Sequence, residues 1–327
     1  KKREVRVESI QLSCGQAVVD QLDNVEELLS DLHTIRDFLR WTVSRLNQAE
    51  VSLGHGFDDP WDEAVALVLH GLNLPWDVDP SVKDCRMTTT EKHIVLELLK
   101  ERLLDRKPAA YITGISWFCG LPFQVDQRVL IPRSPIGELI ENHFEPWLEA
   151  ENVENILDMC TGSACIGIAV AMAFPNAVVD CTDLSEDALD VAEGNVAMHG
   201  LEGQVNLVYS DLFEALEGRS YDIIVSNPPY VDVPDMEALP DEYHHEPRMA
   251  LEAGVDGLDL VRKMLAELSR HLNPGGIAVI EVGNSWEALE EAYPNVPFTW
   301  LEFERGGHGV FLLTKEQIDH HQADLVE

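Results

Sequence analysis

From about residue 150 onward, short apolar runs alternate with helical stretches, and no other feature restricts the fold so strongly. "NILDM" leads into "IGIAVAMAF" and "AVVDCTD" into "SEDALDVAEGNVAMHG"; "QVNLVYSD" and "YDIIVSNPPY" follow, and "GLDLVRKMLAELSRHL" runs into "GGIAVIEVG". A helix between two strands carries the chain across a sheet face before the next strand begins, so the strands run parallel. The alternation therefore predicts βαβ units and a mostly parallel α/β sheet. The stretch "PFTWLEFERGGHGVFLLT" breaks the pattern. It reads as two strands joined by a Gly-rich turn, an antiparallel hairpin that closes the sheet.

Upstream the periodicity is helical. "NVEELLSDLHTIRDFLRWTVSRLNQAEV" sets Val25, Leu28, Leu32, Ile35, Leu39, Val43 and Leu46 on one stripe. Asn24 followed three residues later by Glu27 resembles a capping box. In "DDPWDEAVALVLHG", Asp59 fits an N-cap, Pro60 the first helical position and Gly71 a stop. "TTTEKHIVLELLKERLLDRKP" adds an amphipathic helix that ends before Pro108. A length of 327 residues suits two domains. The expected organisation is a helical, substrate-docking domain at 1–110, a hairpin linker at 111–132 around Gly120 and Pro122, an α/β domain at 133–316, and a polar tail at 317–327.

Charge narrows the partners. The chain carries 23 Lys and Arg against 59 Asp and Glu, a net −36. Such a surface repels a phosphate backbone and attracts basic proteins, or it serves solubility; both readings argue against a nucleic-acid substrate. The six cysteines form no CxxC pair, which leaves buried thiols in preference to a zinc site or a disulfide framework. His244-His245 has no carboxylate or cysteine at ligand spacing and reads as a loop that meets substrate or solvent. No apolar run approaches the ~20 residues of a membrane span. The opening "KKREVRVESIQLSC" has no signal-peptide core, so the expected location is cytoplasmic.

Ligands of open α/β sheets bind beyond the carboxyl ends of the strands, so the residues that follow each strand are the candidates. After the first comes "DMCTGSAC", a small-residue loop entering a helix. It does not have dinucleotide spacing after Gly162. It fits a support for a nucleoside cofactor without phosphate, and equally a tight turn. After the second comes Asp183, with Leu184 beside it, placed to accept ribose hydroxyls or to cap the next helix; Ser185 could take over the capping. After the third, Asp211 could accept from an adenine amine while Leu212 or Phe213 packs on the ring; a plain turn aspartate fits as well. After the fourth stand Asn227, Pro228, Pro229 and Tyr230. Two prolines stop the ladder and hold backbone carbonyls rigidly, and the Asn227 oxygen adds an acceptor. Together they suit an NH2 group, with the Tyr230 ring as a stacking face.

This combination resembles the class I methyltransferases that use S-adenosylmethionine and methylate nitrogen. "RKPAAYITG", "FCGLPFQVDQRVLIPRSP" and "HHEPRMALEAGVDGLDL" are similar to the bacterial protein-glutamine methyltransferases, over about residues 25–315. Within that family, "LDMCTGSACIGIAVAMAFP", "VGNSW" and "VPFTWLEFERGGHGVFLLT" resemble the branch acting on ribosomal protein L-three more than the release-factor branch. The resemblance implies a Rossmann-like seven-stranded sheet with an antiparallel last strand, S-adenosylmethionine as cofactor, and a basic large-subunit protein as substrate. No nucleic acid or membrane is required. It implies that Asp158, Thr161, Gly162, Ser163 and Ala164 line the methionine end of the cofactor, Asp183 the ribose, and Asp211 and Leu212 the adenine. Asn227 and Pro228 hold the glutamine amide, with Pro229 and Tyr230 beside it. The first loop departs from the three glycines usual in the family, with Cys160 and Ala164 in two of those places; alanine fits there if φ stays negative. The competing readings are release-factor glutamine methylation, methylation of a DNA adenine, which requires a basic groove that the sequence does not show, and a non-catalytic binding protein on this scaffold.

Overall fold

The computed structural model describes residues 24–326. Cys14 and the opening segment lie outside the described residues. The chain divides into two units: residues up to Gly114 together with Pro240–His245, and Ile115–Leu239 together with Glu246 onward.

The first unit holds helices α1 (Val25–Asp31), α2 (Ile35–Ala49), α3 (Pro60–Gly71), α4 (Thr89–Leu103) and α5 (Ala109–Thr113). The stripe expected along one helix is split between two. Thr34 starts α2 with a capping box, its hydroxyl accepting from Asp37 N while the Asp37 carboxylate accepts from the amides of Thr34 and His33. That reciprocal cap satisfies amide donors at Thr34, and the chain breaks there. Asn24 makes no cap; its side-chain amide donates to Glu27 instead. Asp59 and Pro60 do start α3, with Asp59 accepting from Trp61 N. Phe38, Leu39, Leu67, Val68, Val95, Leu96 and Leu99 are buried in its core. A second capping box, Thr88 with Glu91, opens α4.

The second unit opens with an antiparallel hairpin, β1 (Ile115–Phe118) and β2 (Leu121–Gln124). Its remaining strands are β3 (Asn155–Met159), β4 (Val178–Asp183), β5 (Val205–Tyr209), β6 (Tyr221–Ser226), β7 (Leu272–Glu281), β8 (Thr299–Trp300) and β9 (Val310–Thr314). They form one seven-stranded sheet in the order β5-β4-β3-β6-β7-β9-β8. The first five of these run parallel, and β9 lies antiparallel between β7 and β8. The helices are α6 (Ile136–Glu141), α7 (Cys165–Ala173), α8 (Glu186–His199), α9 (Val233–Ala238), α10 (Asp259–His271), α11 (Trp286–Ala292), α12 (Lys315–His320) and α13 (Gln322–Leu325). A Cβ on Gly167 would stand 2.2 Å from Cys181 Sγ, so glycine lets α7 lie directly on β4.

The end of the chain is not the expected polar tail. Thr314 and Gln317 form a capping box, and Ile318 and Leu325 are buried in the main core. Two apolar residues seven apart fall on one helical face, which suffices to seat an otherwise polar segment. Among the described residues no helix is long and apolar enough to cross a membrane. The five cysteines described are unpaired; Cys165 and Cys181 are buried as expected, whereas Cys85 is exposed and Cys119 and Cys160 are half-buried.

Candidate active site

The strand register brings the candidate loops together. Met159 pairs with Thr182 on one side and Ser226 on the other. The chain therefore leaves β3, β4 and β6 at one level, where the connections diverge and a doubly wound sheet opens a crevice. Ser226 Oγ ties β6 to the Met159 carbonyl at 2.6 Å.

The loop from β3 to α7 turns through left-handed backbone three times, with φ of 59° at Cys160, 55° at Gly162 and 62° at Ala164. These are the three places at which the resembled family usually has glycine, and the condition under which alanine fits at Ala164, a negative φ, is not met. Thr161 N donates to the Thr182 carbonyl, and Asn195 donates to the Ser163 carbonyl, both at 2.9 Å. Asp158 Oδ2 accepts from the Thr161 hydroxyl and from Gly167 N. Burial pushes the Asp158 carboxyl up to about 7 against those two hydrogen bonds. Asp158 thus braces the loop from behind. At Ala164, glycine would relieve about 1–2 kcal/mol of left-handed strain. It would forfeit about 0.8 kcal/mol of buried methyl and about 0.4–1 kcal/mol through the unfolded chain. These terms nearly cancel, so Ala164→Gly is expected to shift unfolding free energy by less than ~1 kcal/mol in a urea titration. Ala164→Val puts a β-branched side chain at positive φ in closed space and is expected to cost more than ~2 kcal/mol.

Asp183 closes the end of β4. Its carboxylate accepts from Gly162 N and Ser185 N, each at 2.9 Å. The helix cap is made by Ser185, which accepts from Ala188 N, so Asp183 is not needed there. Burial holds the Asp183 carboxyl above the ordinary range, with the amides of Ser185, Gly162 and Leu184 opposing.

Beside these residues lies a cavity of about 130 Å³. Thr161, Gly162, Ser163, Asp183, Leu184, Leu212, Asn227 and Pro229 line it, together with residues 128–134 and Pro247, Met249 and Ala250. Five expected residues are not on this wall. Asp158 and Ala164 sit behind the loop, and Pro228 is buried. Asp211 faces a neighbouring cleft with Glu214, Lys263 and Arg270. Tyr230 turns its hydroxyl to Glu281 Oε1 at 2.9 Å, and its ring lies against Gly283. The amide oxygen of Asn227 is buried on the cavity wall and has no hydrogen-bond partner among the described residues. An unmade acceptor costs about 1–3 kcal/mol, and native proteins keep few of them. It suits a ligand N–H.

Residues 142–240 match the model of the methyltransferase small domain family. The ribosomal protein uL3 glutamine methyltransferase of Francisella tularensis is 47% identical over 294 residues, 90% of this chain and 94% of the relative. The enzyme of the same name from Bordetella pertussis is 49% identical over 290 residues, 88% of this chain and 97% of its own. The chain belongs to the ribosomal protein uL3 glutamine methyltransferase family. It is a protein-glutamine N-methyltransferase with the seven-stranded, Rossmann-like sheet of the class I enzymes. A solved methyltransferase from Pyrococcus furiosus is also similar, with a TM-score of 0.44 and 21% identity over 60% of this chain and 89% of that one.

In this uL3 glutamine methyltransferase family member, the sequence reading passed over several residues that build the site. Glu246 is buried and accepts both arms of Arg133, at 2.6 and 2.7 Å, together with Ile131 N. It thereby pins the 128–134 wall of the cavity. Glu281 ends β7 and accepts from Ser134 and Tyr230. Ser210 accepts from Ala215 N and donates to the Leu212 carbonyl, which holds Leu212 at a φ of 49° against the cavity. The one available signal was a lone acid closing the apolar run "GGIAVIEVG" and another preceding proline in "HHEPR". His244-His245 lies in a short 3-10 turn, where His245 Nε2 meets the Asp105 carbonyl. Among the described residues no group of three or more His, Cys, Asp or Glu could hold a metal ion.

Proposed function

We propose that this chain transfers a methyl group from S-adenosylmethionine to the side-chain amide nitrogen of a glutamine in ribosomal protein uL3. The buried Asn227 oxygen without a partner carries the reading, because it lies on the cavity wall where an amide N–H would satisfy it. The names of the two relatives supply the substrate and favour it over release factors. The cofactor fits the residues present: a left-handed loop whose backbone approaches closely, and Asp183 at the end of the neighbouring strand. Thr161, Gly162 and Ser163 would hold its amino-acid end, Asp183 its ribose, and Leu184 and Leu212 its base. When bound, it supplies an electrophilic methyl carbon and a good leaving group.

An amide nitrogen is a poor nucleophile, because its lone pair is delocalised into the carbonyl. Asn227 Oδ1 orients one N–H and stabilises the positive charge that develops on nitrogen as the new bond forms. Pro228 and Pro229 fix the backbone on either side and keep that acceptor in place. The proton can leave after transfer, once the nitrogen is acidic, so no strong base is required at Asn227. The helical unit would dock the substrate, and a cytoplasmic location follows from a ribosomal-protein substrate.

Labelled methyl transfer to purified uL3 and release factor side by side tests the substrate. Label is expected in uL3 and not in release factor, and the reverse would overturn the reading. With a net charge of −36 against a basic protein, encounter should be steered. We expect kcat/KM for uL3 to fall by about 10-fold or more from low to high salt. A flat salt profile would exclude steering.

A further inference from the structure

Glu281 is a buried acid with no role in the chemistry described so far. It is 5% exposed and lies at the end of β7, one residue beyond the Ser226–Ile280 pair that closes the β6–β7 ladder. Its two oxygens take two different hydroxyls: Tyr230 Oη donates to Oε1 at 2.9 Å and Ser134 Oγ to Oε2 at 2.6 Å. Ser134 Oγ also accepts from Ile136 N. Arg133, whose charge acts on Glu281, has its guanidinium committed to Glu246. Burial raises the Glu281 carboxyl, and the two hydroxyls offset this.

The two hydroxyls come from segments far apart in the chain. Ser134 belongs to the 128–134 wall of the cavity, and Tyr230 directly follows the prolines that carry Asn227. Tyr230 is held at three points by residues 281–285: its hydroxyl by Glu281, its ring over Gly283, where a Cβ would stand 2.4 Å from Cε2, and its carbonyl by Ser285 Oγ at 2.9 Å.

We propose that Glu281 is a positioning residue for methyl transfer: by accepting from Tyr230 and Ser134 together, it locks the Asn227 acceptor in register with the 128–134 segment that lines the same cavity. The role rests on the function proposed above. Small displacements in such a site cost rate more than binding, because an amide nitrogen must meet the methyl carbon in line. Glu281→Gln keeps the shape but replaces one acceptor oxygen by a donor, so one hydroxyl loses the acceptor for its proton.

The test compares wild type, Glu281→Gln, Tyr230→Phe, Ser134→Ala and the Glu281→Gln/Tyr230→Phe double variant, with uL3 as substrate. Each single variant is expected to lower kcat by about 10-fold or more, with both KM values within about twofold of wild type. The double variant should be no more than about twofold slower than Glu281→Gln alone, because both changes break one linkage. Amide exchange should quicken in Glu281→Gln in both tethered segments, around 129–134 and 230–232. A Glu281→Gln enzyme with wild-type kcat overturns the role, as do multiplicative losses or a loss carried by KM. Should Glu281→Gln fail to fold, the single hydroxyl deletions decide, and full activity in either overturns it. A wild-type enzyme that does not methylate uL3 overturns this role and the proposed function together; a wild type that turns over beside a full-rate Glu281→Gln overturns this role alone.

Discussion

Asn227→Ala is expected to lower kcat for glutamine methylation by about 10²–10³-fold, with cofactor affinity changed by no more than about twofold. The acceptor deleted is a fixed, buried oxygen with no hydrogen-bond partner among the described residues. A group of that kind is worth most when charge develops beside it in a water-poor site, which is why the loss falls on turnover. The fold should tolerate the change, since the side-chain oxygen makes no internal bond that the truncation would break. Single-turnover rates, with cofactor binding measured by calorimetry, separate the two quantities. Turnover within a few-fold of wild type would sink the assigned role.

The largest stability effect is expected in the first unit, at Arg102. This guanidinium is 1% exposed and reaches Glu63, Glu242 and the Ser52 carbonyl. Glu63 and Glu242 are each 2% exposed, and Glu242 also accepts from Ser52 N and Arg106. Burial raises both carboxyls. It prevails at Glu63, whereas at Glu242 the hydrogen bonds of its backbone, Arg102 and Ser52 hold the carboxyl below the ordinary range. Arg102→Ala strands two buried acids and is expected to cost about 3–5 kcal/mol. Replacing Arg102, Glu63 and Glu242 together by apolar residues of similar volume should cost far less. In Arg102→Ala the stranded acids would have folded pKa values above their unfolded ones. Stability is then retained below the unfolded pKa and lost as pH rises through the folded one, so the damage should be smaller near pH 4 than near pH 8. Denaturant unfolding, with hydrogen exchange read over α3 and α4, checks this. A loss below about 1 kcal/mol at pH 8 would show that the network is dispensable.

Much of the architecture was legible because it is written locally. Strand and helix runs, the reversal in "ERGGHG" and the proline stop at Asn227 depend on neighbours a few residues away. The errors arose where distant partners decide. Thr34 and Asp37 divide a stripe that periodicity alone reads as continuous. Ile318 and Leu325 give a polar segment its place by packing into the main core. The segment Pro240–His245 follows the cavity residues in sequence, yet it belongs to the first unit, where Glu242 meets Arg102 across 140 positions.

The sequence by itself determined the βαβ order and the family, because each is carried by short-range pattern and residue chemistry. Tertiary structure decided which candidates share a wall. Asp183 and Asn227 face one cavity, Asp211 faces another cleft, and Tyr230 turns to Glu281. It also set left-handed backbone at Cys160 and Ala164, where composition alone argued against it. The reason is common to all of these. Strand register and long-range hydrogen bonds, such as Ser134 to Glu281 across 147 positions, fix where a side chain points, and no local pattern encodes them.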